Sequence, residues 1–82
     1  MKMTDYPLLK EVRTDGYSLL AVFDNSVEKT LNMASLIDSD PFFAKLKDIS
    51  LFSKAFVKGK GYAVVWNEDI DLASEYIYDK GV

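Results

Sequence analysis

The chain holds neither cysteine nor histidine, so any chemistry must come from carboxylates, amines, hydroxyls and aromatic rings. Thiol nucleophiles, disulfides, Cys- or His-ligated zinc and Ser-His-Asp hydrolysis are thereby excluded. Three stretches keep residue types and spacings that could act. Asn67-Glu68-Asp69-Ile70-Asp71 sets oxygen ligands at alternate positions, as at the opening of an EF-hand loop. The match fails where calcium needs it, because Leu72 stands for the turn glycine and Tyr78 for the closing glutamate. The run therefore reads as an acidic bend. Gly59-Lys60-Gly61 has the composition of a phosphate cradle but lacks the glycine spacing, the Lys-Ser/Thr pair and the following helix of a P-loop. It reads as a hairpin turn. Asp38 and Asp40 could pair as general acid and base, yet their place just before Pro41 is that of turn and capping residues. No catalytic residue, metal or cofactor is expected, and the chain reads as non-enzymatic.

What remains is surface chemistry. Net charge is −3, which weighs against non-specific nucleic-acid binding. The charge is uneven: Lys45, Lys47, Lys54, Lys58 and Lys60 precede Trp66, and Glu68, Asp69, Asp71, Glu75 and Asp79 follow it. Two binding surfaces compete. The first is a protein-contact surface of Trp66, Glu68, Asp69 and Asp71. The alternative is a nucleic-acid or regulatory surface using the Lys45–Lys60 segment, with Lys58 and Lys60 on a hairpin tip beside the aromatic Tyr62.

The elements that must position these residues follow from periodicity. Strands are expected over 8–13, 17–23 and 27–33, joined by turns at Asp15-Gly16 and Asp24-Asn25-Ser26, with Asn25 able to take a positive φ. On the second strand Tyr17, Leu19, Ala21 and Phe23 share one face, and Leu20 and Val22 the other. On the third, Val27, Leu31 and Met33 point inward, with Lys29 as the polar exception suited to an edge. A helical turn at 34–37 precedes a helix from Pro41 to about Lys47, with Asp40 as N-cap and Phe42, Phe43 and Leu46 on the core side. Asp48 or Ser50 caps a second turn carrying Leu51 and Phe52. Strands over 55–58 and 62–66, an extended piece at 70–72 and a helix over 74–79 complete the chain.

With 82 residues, 49% of them hydrophobic and 13% aromatic, the sequence is one small globular domain. Two strands are apolar on both faces. Either the sheet curls over itself or another chain covers it, so a homodimer is expected. No apolar run suits a membrane span or a secretory leader, which points to the cytoplasm.

The segments LLKEVRTDGYSLLAVFDNS, PFFAKLKDISLFSKAFV and VVWNEDIDLASEYIY, in that order, resemble a family of small bacterial proteins known as domain of unknown function 2442. Relatives usually carry Asn-Gly where this chain has Asn25-Ser26, and often proline where Ser74 stands. The resemblance implies an α+β fold, a bent antiparallel β-meander with short helices packed on one side. It implies no catalytic residue set. Relatives are often encoded beside a second small protein, an arrangement that looks like a toxin–antitoxin pair, so the chain is expected to bind such a partner.

Overall fold

The computed structural model describes residues 6–82. Three strands, β1 (Leu9–Asp15), β2 (Ser18–Phe23) and β3 (Glu28–Asn32), form an antiparallel meander in the order β1-β2-β3. Alternation sets its faces. Leu19, Ala21, Phe23 and Leu31 are buried, while the outward Leu20 and Val22 are half-buried among the exposed Glu11, Arg13 and Glu28. A register shift between Leu9 and Glu11 bulges the first strand. Lys29, the polar inward residue of edge strand β3, lays its Nζ 4.9 Å from the centre of the Tyr78 ring.

The helical section comes next: α1 (Ala34–Ser39), a 3₁₀ helix (Pro41–Lys47) and α2 (Ile49–Phe52). As the sequence indicates, Asp40 caps the 3₁₀ helix, with its side chain accepting from the Phe42 amide at 3.0 Å. Asp48 caps α2 through the Ser50 amide. Phe43, Leu46 and Phe52 are buried, but Phe42, expected in the core, is 50% exposed and stacks edge-on against Phe43. The tighter winding of the 3₁₀ helix separates adjacent residues more sharply than an α-helix would, so only one of the two rings faces inward.

The remaining strands do not extend the meander. β4 (Phe56–Lys58), β5 (Ala63–Val65) and β6 (Asp71–Ala73) build a second antiparallel sheet, followed by α3 (Ser74–Lys80). The fold is α+β, with two small sheets sharing one core. That core holds Leu19, Phe23, Met33 and Phe52 together with Val64, Trp66, Leu72 and Ile77. The face of β2 for which an outside cover is expected is half-covered by its own charged neighbours, and its inner face is covered by the second sheet and the helices.

A backbone hydrogen bond ties the two sheets. The Leu9 amide donates to the Gly61 carbonyl at 2.9 Å. Gly61 is buried with φ +104°, and a Cβ there would lie 2.4 Å from the Leu9 carbonyl oxygen and 2.7 Å from its nitrogen. Backbone atoms cannot swing aside, so only glycine fits. At the earlier turn the positive φ falls on Ser26, at 72°, rather than on Asn25. Asn25 instead accepts from the Val27 amide at 3.1 Å.

Two stability measurements follow, both by urea denaturation. Gly61→Ala costs about 2–4 kcal/mol, against about 1–2 kcal/mol for Gly59→Ala, where φ is also positive but the space is open. Ser26→Gly stabilises by about 0.5–1 kcal/mol, since relief of left-handed strain (about 1–2 kcal/mol) exceeds the added entropy of the unfolded chain.

Candidate functional site

The acidic run forms the loop of the β5–β6 hairpin. The Trp66 amide donates to the Ile70 carbonyl at 3.0 Å, and Asn67 Oδ1 accepts from the Asp69 amide at 2.8 Å and the Ile70 amide at 3.0 Å. Trp66 and Ile70 are each 3% exposed and anchor the two ends of the loop. Glu68 and Asp69 are left at the exposed tip. Trp66, expected in the protein-contact surface, belongs to the core. Its indole Nε1–H donates to the buried Phe52 carbonyl at 2.9 Å, which leaves no face free for a partner.

Register places Phe56 beside Val65, and Val65 beside Asp71, in one row on the outer face of the second sheet. The inner face carries Val57, Val64 and Leu72. Around the outer row lies a depression of about 340 Å³ lined by Phe56, Lys58, Val65, Asn67, Glu68 and Asp71. Phe56 is 51% exposed. Lys58 follows it by two residues on the same face. The ion pairs among the described residues are Arg13–Glu11 and Lys47–Asp38, so Lys58 shares this depression with Glu68 and Asp71 without bonding to either. The structure thus brings one member of the basic candidate set together with two of the acidic set. Asp69 stays at the loop tip and Lys60 in the β4–β5 turn.

Tyr62 is 65% exposed but lines a different concavity, of about 310 Å³, with Tyr6, Pro7, Leu8, Ser74 and Glu75. Lys58 and Tyr62 therefore do not share a concavity. Nearby, the Tyr6 phenol donates to Asp79 Oδ2 at 2.6 Å. That hydrogen bond holds the Tyr6 pKa above its ordinary value, helped by partial burial and by the negative charges of Asp79 and Glu75. The remaining carboxylate pair does structural work, with Asp40 capping and Asp38 facing Lys47 at 3.7 Å. Among the described residues no three acidic groups gather as metal ligands, and no helix is long and apolar enough to cross a membrane.

Sequence reasoning missed Phe56 as a surface residue. The available signal was phase: Lys58 must face water, and in a strand the residue two before it faces the same way.

A small α+β domain with an aromatic exposed on a charged sheet face defines the class of protein. The chain belongs to the family described as "Protein of unknown function (DUF2442)", which matches residues 9–82. No curated protein and no solved structure matches it.

The Tyr6–Asp79 bond gives a pH prediction. Because the folded-state pKa is raised, the neutral phenol's contribution is intact below the unfolded value near 10 and is lost as pH rises through the folded value. In an alkaline absorbance titration, Asp79→Asn returns the Tyr6 transition toward 10, and Tyr6→Phe removes it.

Proposed function

We propose that the chain is a non-enzymatic cytoplasmic protein-binding domain, the antitoxin-like member of a pair, which docks a second small protein on the outer face of its second sheet. One observation carries this reading. A half-exposed Phe56 lies beside Val65 in a shallow depression, with Lys58 on one flank and Glu68 and Asp71 on the other. An aromatic anchor with a charged surround is the composition of an interface hot spot. Magnitudes rank the contributions. Covering the exposed half of Phe56 removes roughly 100 Å² of apolar surface, about 2–3 kcal/mol. Each exposed ion pair adds only about 0–1 kcal/mol. Phe56 supplies the affinity, and the charges choose the partner and steer its approach.

The same face carries Lys58 together with Glu68 and Asp71, opposite charges that two copies could pair reciprocally across a two-fold axis. A homodimer is therefore the second reading. The nucleic-acid alternative meets an obstacle, since a phosphate reaching Lys58 approaches Glu68 and Asp71, and one reaching Tyr62 approaches Glu75.

The test is co-expression with the neighbouring gene's product, affinity capture through this chain and biosensor titration of the complex. Phe56→Ala weakens binding about 30–100-fold. The double variant Glu68→Lys, Asp71→Lys mainly slows association. Dimerisation shows instead as concentration-dependent sedimentation that Phe56→Ala abolishes. A chain that stays monomeric and captures no neighbour contradicts both readings.

A further inference from the structure

The geometry points to a second binding site, in the concavity between residues 6–8 and the start of α3, that receives a cationic group: an alkylammonium or guanidinium. Its volume, about 310 Å³, suits a single side chain or a small amine. Tyr6, Pro7, Leu8 and Tyr62 supply apolar and aromatic walls, with Ser74 and Glu75 as the polar members of the lining.

Ser74 makes this more than a crease in the surface. It is the one buried polar side chain among the described residues, 3% exposed. Its backbone amide is used, donating to the Tyr62 carbonyl at 2.9 Å. Its hydroxyl has no hydrogen-bond partner among the described residues, and it does not cap α3, whose N-cap position is Ala73. Buried hydroxyls are nearly always bonded, so an unused one in the wall of a concavity marks a place where a donor from outside can bond.

Charge fixes the sign of that donor. Glu75 and Asp79 stand four residues apart on α3, an arrangement of like charges that disfavours the helix. Asp79 accepts from Tyr6, whereas Glu75 has neither hydrogen bond nor ion pair among the described residues. A carboxylate beside the exposed Tyr62 ring and the half-buried Tyr6 ring attracts a cation through both its charge and the ring faces. An anion would be repelled, and an apolar group would leave Ser74 and Glu75 unmatched. The site is separate from the Phe56 face and stands or falls without it.

The test is a ¹H–¹⁵N NMR titration of the full chain with four probes. These are Nα-acetyl-lysine methylamide, Nα-acetyl-arginine methylamide, n-butylammonium chloride and the uncharged Nα-acetyl-norleucine methylamide. The cations are expected to shift Tyr62, Ser74 and Glu75 with dissociation constants of roughly millimolar order, and norleucine to leave them in place. Tighter binding of the capped residues than of butylammonium assigns the site to a peptide side chain; equal binding assigns it to a free amine. Glu75→Gln and Ser74→Ala each weaken binding about fivefold, and Ser74→Ala does so with no loss of thermal stability. Either of two results overturns the site: no cation-specific shift at these residues, or unchanged affinity in Ser74→Ala.

Discussion

The backbones of Leu9 and Gly61 touch, and the rest of the molecule is arranged by that contact. A strand opening the first sheet and a turn of the second meet with no room for a methyl group between them. One hydrogen bond, from the Leu9 amide to the Gly61 carbonyl, fixes their separation. Once the turn is held there, the direction and phase of β4 and β5 are set. Because side chains alternate, phase decides which residues are core and which are surface. Val57, Val64 and Leu72 turn inward; Phe56, Val65 and Asp71 turn outward. A slip of one residue would bury Lys58 and expose Val64. The surface offered to a partner is therefore a consequence of a backbone contact with Leu9, far from it in sequence.

Polar side chains are spent locally, at the ends of elements. Asp40, Asp48 and Asn67 each satisfy backbone amides two or three residues ahead, ending one element and starting the next within very few residues. Asn32 does the same for the Ala34 amide at 2.9 Å. The buried indole of Trp66 bonds the carbonyl that ends α2, which joins the second sheet to the helical section. These short-range bonds let the described residues, 6–82, hold ten elements around one core. Of the two carboxylates weighed as a catalytic pair, Asp40 is occupied in this way and Asp38 faces Lys47.

Much of this architecture was legible from local pattern. The strand alternation of 17–23, the capping of Asp40 before Pro41 and the edge role of Lys29 are short-range properties, and the structure bears them out. Three features were not legible. The second sheet is joined to the first where Gly61 meets Leu9, a contact across 52 positions that no window of sequence displays. Phe42 and Phe56 look like core residues by type, and their exposure depends on helix winding and on strand phase. Ser74 reads as an ordinary helix-start residue, and its buried hydroxyl, unbonded among the described residues, becomes visible only when Tyr62 and residues 6–8 line one concavity with it. Residue type gave the candidates, and long-range contact decided which of them face water.

The central claim is that the two sheets are one cooperative body, so that the outer face of the second is held as a rigid platform. Native-state hydrogen exchange of individual amides tests this most directly. The Leu9 amide, bonded across the joint, and the Trp66 amide, closing the second hairpin, are compared with Phe23 in the first sheet and Met33 at its end. The account predicts that all four exchange with a single opening free energy equal to that of global unfolding. Exchange at Leu9 and Trp66 that is orders of magnitude faster than at Phe23 and Met33 would mean that the second sheet opens by itself, and would contradict it.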